Sequence, residues 1–163
     1  MTSPVEVEIQ NELEYDFDAK QLENAARVTA ALQAVDEPAS VTIVVTDDEA
    51  VAKLNQRFRG IDAPTDVLSF PSGEESGIFE GEPRYLGDLV VAFPYASSQA
   101  EREGFALNDS LSLLVVHGML HLLGYDHHTP EARKAMWQAQ EEALLALNIS
   151  PEIVPALENA DHG

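Results

Sequence analysis

From Asn108 to Leu123 the chain is apolar on nearly every side of a helix. A helix of that kind belongs at the centre of a domain, with the other elements packed around it. Two imidazoles interrupt the apolar run, His117 and His121, four residues apart. On a helix that spacing turns ~400° and rises ~6 Å, so both rings leave one face, one above the other. Gly124 follows where a helix commonly stops in the left-handed conformation, and the chain can then double back to bring His127 toward the first two. Three neutral imidazoles converging from a helix and its following turn suit a zinc-like divalent ion. They leave a fourth position for water, as in a catalytic site rather than a structural one. A lone histidine in such a run is more often a core residue hydrogen-bonded to backbone. Three of the chain's five histidines in eleven residues, with the glycine in place, read as ligands.

The spacing matches the zinc-protease pattern H-E-x-x-H-x-x-G-x-x-H except at one position. The glutamate that acts there as general base is Gly118 here. The cage is kept and the base is missing, which points to a hydrolase other than a conventional metalloprotease. With no cysteine in the chain, thiolate ligands and disulfides are excluded, so a metal must be held by His, Asp or Glu. The absence of cysteine is compatible with a reducing cytoplasm.

The length, 163 residues, fits one domain. The expected division is a single metal-dependent hydrolase domain over 1–150 and a tail over 151–163 that frays. Met1 to Glu6 has neither a basic segment nor an apolar run, so no signal peptide is expected. The apolar run ending at Leu123 is too short for a bilayer, so no membrane is expected either. Nine basic against 29 acidic residues give a net charge of −20. Such a surface repels nucleic acid at long range. Three of the nine cations, Lys53, Arg57 and Arg59, fall within seven residues, the place where a polyanion would be met.

The remaining elements follow from periodicity and punctuation. Val5 to Ile9 alternates as a strand with one buried face. Asp18 to Val35 carries a helical stripe of Leu22, Ala25, Ala26, Val28, Thr29 and Leu32. Val41 to Val45 is a β-branched, buried strand. Thr46-Asp47-Asp48-Glu49 has the form of a capping box, opening a helix that Gly60 ends. Val67 to Phe70 is a short strand, and 72–84 is a loop rich in Gly, Glu and Pro. Leu86 to Phe93 is a strand; Pro94 opens a short helix that Gly104 ends. Thr129 and Pro130 supply an N-cap and a first-turn proline for a last helix to Asn148, burying Met136, Trp137, Ala143, Leu144 and Leu147. The sum is an α+β domain, a small mixed β-sheet with about five helices, and a metal site on the central helix and its following turn.

The histidine motif resembles that of the YbeY endoribonucleases, bacterial proteins of rRNA maturation. Leu54 to Gly60 followed by Pro64 to Pro71 resembles a second signature of that family, and Leu86-Gly87-Asp88-Leu89-Val90 a third. The resemblance implies a metal-dependent endoribonuclease acting on single-stranded RNA, in 16S rRNA 3′-end maturation and ribosome quality control. It implies one zinc per chain on His117, His121 and His127. An rRNA precursor would be the substrate and ribosomal particles or ribosome-associated proteins the partners, in the cytoplasm. Arg59 and His117 are the candidate catalytic residues. The strongly acidic balance departs from the positive cleft expected of such a nuclease.

A zinc ion would acidify water toward a pKa of ~7, and Arg59 would neutralise charge building on the phosphodiester with a planar, bidentate donor set. Arg57, two residues away, would point elsewhere. The general base stays open. Asp126 beside a ligand is either a positioning carboxylate or an ordinary turn residue. Asp66 and Asp88 either brace loops or support the ligands, and the RNA's own 2′-hydroxyl is a further nucleophile. His128 is expected to be exposed. Phe58, Phe70 and Tyr85 could stack on bases, although packing is the commoner use of the phenylalanines. Two rival readings stand: a metalloprotease or other amidohydrolase, against which the missing glutamate counts, and a non-catalytic ribosome-assembly factor stabilised by zinc.

Overall fold

Among the described residues, four strands form one sheet in the order β1-β2-β4-β3. They are β1 (Val5–Gln10), β2 (Ala39–Thr46), β3 (Val67–Pro71) and β4 (Arg84–Ala92). β1, β2 and β4 run parallel and β3 closes the far edge antiparallel to β4, so the sheet is mixed, as expected. The computed structural model describes residues 4–72 and 84–153. The glutamates of the acidic loop, Glu74, Glu75, Glu80 and Glu82, lie outside the described residues.

Strand alternation assigns the two faces. Val5, Val7 and Ile9 of β1, Val41, Ile43 and Val45 of β2, and Leu89 and Val91 of β4 belong to the main core. Leu68, Val90 and Ala92 belong to a smaller cluster on the other side. The main core is covered by α1 (Ala19–Leu32) and α4 (Leu107–Leu122), with α5 (Pro130–Ala146) packed on both. Helix α2 (Asp48–Arg59) lies against β3 and β4, its Val51 and Leu54 packed into the smaller cluster. Helix α3 (Phe93–Glu103) leads from β4 into α4.

The central placement of α4 follows from its composition: every residue from Leu111 to Leu120 is buried. No single helix among the described residues is long and apolar enough to cross a membrane. Gly118 lets α4 approach the sheet, since a Cβ there would stand 2.7 Å from Leu89 Cδ2 and 3.3 Å from Ser69 Oγ. Opposite, a bulge after Ser40 and Tyr85 leaves Leu86 with no opposite residue on β2 and shifts the register, so that Val41 faces Gly87. Gly87 has φ +139°, and a Cβ would fall 2.3 Å from the carbonyl oxygen of Phe70 and 2.9 Å from Leu122 Cδ2. Only glycine fits that position.

Element ends are set largely by local chemistry. Gly60 (φ +72°) and Gly104 (φ +77°) close α2 and α3 in the left-handed conformation, and Thr129 Oγ1 accepts from Ala132 N at 3.1 Å at the start of α5. The cap of α2 differs from expectation. Asp47, not Thr46, accepts from the Ala50 amide, at 2.8 Å. A carboxylate outcompetes the hydroxyl one residue earlier because it also answers the positive end of the helix. Leu32 ends α1 45% exposed, its place in the stripe taken by Ala30. Of the tail expected to fray, Pro151–Ile153 form a 3-10 turn with Ile153 2% exposed against the core, and 154–163 lie outside the described residues.

Candidate metal centre

His117 and His121 leave α4 on one face, as the four-residue spacing requires, and their Nε2 atoms stand 3.1 Å apart. Each ring has its other nitrogen committed. His117 Nδ1 donates to Gln140 Oε1 of α5 at 2.6 Å. His121 Nδ1 donates to the backbone carbonyl of Tyr125 at 2.9 Å. A carbonyl oxygen only accepts, so both rings place a proton on Nδ1 and turn Nε2 inward, the nitrogen that carries the lone pair in a neutral ring. Two such lone pairs repel unless a cation lies between them. A tetrahedral zinc ion with bonds of ~2.05 Å separates its nitrogen ligands by about 3.3 Å, close to the observed spacing. Gly124 (φ +103°) then reverses the chain, and its successor Tyr125 returns its amide to the Leu120 carbonyl at 2.9 Å. That reversal delivers His127, whose ring centroid lies 5.7 Å from that of His117 and 5.3 Å from that of His121. One ligand atom from each of the three falls within 4.8 Å of the others, so they could hold an ion together.

Gln140 was not foreseen. It is fully buried on the apolar side of α5, four residues beyond Met136 and four before Leu144. A polar residue in a buried stripe was the available signal. Trp137, one turn earlier, lines the same cluster, its ring 6.0 Å from His117 and 5.8 Å from His127. Tyr125 has a second tie: its phenol donates to Gln33 Oε1 at the end of α1, at 2.7 Å.

The carboxylates considered for general base are engaged as braces. Asp126 Oδ1 accepts from the His128 amide at 3.1 Å, an Asx turn, and His128 is exposed. Asp66 is buried and accepts from the Val67 amide at 2.8 Å, fixing the start of β3. Asp88 accepts from the Tyr85 phenol on the α2 side of the sheet, the face away from the histidines. There Thr42, Leu54, Phe58, Phe70, Tyr85 and Asp88 help line a groove of about 890 Å³. Phe58 is 58% exposed, not a core residue, and meets Phe70 edge-on at 5.2 Å. Burial, and secondarily the bond to Asp88, pushes the Tyr85 phenol above its ordinary pKa.

Arg59 lies on the exposed last turn of α2, a separate element from those carrying the histidines, and donates to Asn55 Oδ1 at 3.3 Å. Asn55 is itself buried, its amide donating to the Ala63 carbonyl at 2.8 Å. Arg57 lies over the Phe58 ring instead, at 5.3 Å.

The profile of the family described as "Endoribonuclease YbeY" matches residues 6–148. The chain belongs to the YbeY family. A relative in Roseiflexus sp. (strain RS-1), named endoribonuclease YbeY, is 43% identical over 139 residues, covering 83% of this chain and 87% of its own length. One in Geobacillus thermodenitrificans with the same name is 42% identical over 137 residues, covering 79% and 86%. The solution structure of a Thermotoga maritima protein superposes with a TM-score of 0.56 at 27% identity, covering 88% of this chain and 92% of that one. The YbeY profile spans all three histidines, Arg59 and Gln140.

Proposed function

We propose that the protein is a metal-dependent, single-strand-specific endoribonuclease that matures the 3′ end of 16S rRNA and takes part in ribosome quality control in the cytoplasm. The supporting observation is the pair of Nε2 atoms 3.1 Å apart, each ring oriented by the partner of its own Nδ1. Family membership gives the chemistry its direction toward RNA. His117, His121 and His127 would hold one zinc, with Gln140 and the Tyr125 carbonyl orienting the first two rings. A zinc ion held there supplies a Lewis acid and acidifies water near neutral pH. Arg59, at the exposed end of α2, would face the charge that develops on the phosphodiester. With Asp126 in its turn and Asp88 engaged by the Tyr85 phenol, the substrate's own 2′-hydroxyl is the favoured nucleophile. The protease reading is disfavoured by position 118 itself, which faces the sheet and has no room for a glutamate.

Metal analysis of the purified protein, run beside cleavage of a structured and an unstructured RNA with and without chelator, tests this reading. About one zinc per chain and chelator-sensitive cleavage of the unstructured RNA are expected. Stoichiometric zinc with binding to ribosomal particles and no cleavage would favour the assembly-factor reading instead.

A further inference from the structure

Phe58, at the last turn of α2, is 58% exposed, although a large aromatic side chain is ordinarily packed away. Phe70 of β3 meets its ring edge-on at 5.2 Å and steadies it from one side. The Arg57 guanidinium lies 5.3 Å from the ring centroid. Arg57 is exposed and has no carboxylate partner among the described residues, whereas Lys53, one turn earlier, is drawn toward Glu49 at 3.3 Å. A steadied aromatic face beside an unneutralised cation has the composition of a single-strand platform: the ring takes a base and the cation a phosphate. An exposed guanidinium over a phenyl ring is held more weakly than a stacked base, so a base displaces it and leaves it to turn to the adjoining phosphate. Glu8 and Asp88 line the groove that Phe58 borders, so an RNA backbone is kept at the rim and not drawn inside.

One edge strand joins this platform to the histidine helix. β3 is the last strand of the sheet, and its successive residues point to opposite faces. Phe70 turns to Phe58, while Ser69 lies beside Gly118, which stands between His117 and His121 in the sequence. An unpaired strand passing around that edge therefore meets the platform and the histidine helix within a few nucleotides.

We propose that Phe58 is a stacking platform for an unpaired base of the RNA substrate, with Arg57 on the phosphate beside that base. This rests on the reading of the protein as a ribonuclease and deepens it, because it supplies a source of single-strand preference. In a duplex both faces of a base are covered by its neighbours, so only an unpaired base can lie on the ring. Every base has a π-face, so the contact selects unpaired RNA and not a sequence.

The test uses the full-length, zinc-loaded protein with a structured and an unstructured RNA, and measures binding and cleavage across several salt concentrations. Phe58→Ala should raise KM on the unstructured RNA about tenfold, the scale of one lost base stack, and act on KM more than on kcat. The structured RNA should be affected much less, so the preference between the two narrows. The log–log salt slope should stay where it was in Phe58→Ala, since no charge is lost. Arg57→Ala should make it shallower by about 0.7, the share of one single-strand phosphate. Phe58→Trp should bind at least as tightly, and its added fluorescence, above that of Trp137, should be quenched as the unstructured RNA is titrated in. Phe58→Leu, apolar but without a π-face, should behave as Phe58→Ala does. Bound zinc should be unaffected in all four. The proposal is overturned if Phe58→Ala matches the wild type in KM on the unstructured RNA, or if Phe58→Leu recovers the wild-type KM, which would make the contact one of apolar burial. A lowered denaturation midpoint with unchanged KM would make Phe58 a packing residue and overturn it as well. A wild-type protein that neither binds nor cleaves RNA overturns the nuclease reading and this proposal together. Cleavage by the wild type with an indifferent Phe58→Ala overturns this proposal alone.

Discussion

One face of the sheet is buried under α1 and α4, with α5 behind them; the other carries α2 and, beside it, an open groove. Polar residues occur on both sides, and their surroundings give them different weight. On the packed side His117 is fully buried and Gln140 is its partner, so the choice of hydrogen bond decides which ring nitrogen keeps its proton. On the open side the Tyr85 and Thr42 hydroxyls are 2.8 Å apart and Tyr85 also reaches Asp88, yet water can replace any of these bonds. A polar group enclosed by packing has its chemistry fixed by its neighbours; one in a groove keeps alternatives.

The sharpest way to break the comparison is to force a charge into the packed side. Gly118→Glu restores the zinc-protease motif on paper, but the side chain would enter between α4 and the sheet against Leu89. A buried, unpaired carboxylate and overpacking together should cost more than about 4 kcal/mol, read as loss of soluble protein or a collapsed denaturation midpoint. Stable folding with new peptidase activity would show that position 118 faces the metal cluster after all.

Next in size is His121→Ala, which removes one of two facing Nε2 atoms. Bound zinc should fall far below one per chain while the helical circular dichroism stays. A double His117→Ala/His121→Ala protein that retained stoichiometric zinc would dismiss the site.

Arg59→Ala should retain zinc and fold and reduce kcat on RNA on the order of a hundredfold, with Arg59→Lys restoring little. Undiminished turnover would take Arg59 out of the reaction. Gln140→Leu keeps the volume and removes the acceptor for His117, and should weaken zinc affinity roughly ten- to a hundredfold in a competition titration.

The smallest effect belongs to the open side. Because the folded-state pKa of Tyr85 is raised, its contribution to stability is complete below the unfolded value near 10 and is lost as pH rises through the folded value. Tyr85→Phe should flatten that alkaline fall in a pH series of denaturation curves and leave zinc content alone. A change in zinc content would connect the two faces.

Much of the fold was legible because helix ends are written in adjacent residues. Gly60, Gly104, Thr129 and Pro130 act where they stand. The histidine triad was legible for a similar reason, since helix periodicity and one glycine determine its geometry. The order β1-β2-β4-β3 was not, because strand pairing is a non-local choice that no short window records. Gln140 was missed because polar residues on a helix are ordinarily read as solvated, and only its position between Met136 and Leu144 gave it away. Phe58 was misjudged in the opposite sense: at the last turn of α2 the smaller cluster has run out, so an aromatic side chain is left at the rim of a groove.

Tyr125 joins two events that would otherwise be separate. Its carbonyl holds His121 in register, and its phenol holds the end of α1 through Gln33. An ion that tightens the histidine turn therefore also draws α1 onto α4, and ion binding becomes part of the free energy of folding. A ligand present at a hundred times its Kd adds about 2.7 kcal/mol to a protein that binds it only when folded. On the proposed metal-dependent reading, the supply of that ion would set how long the folded molecule survives as well as whether it is active.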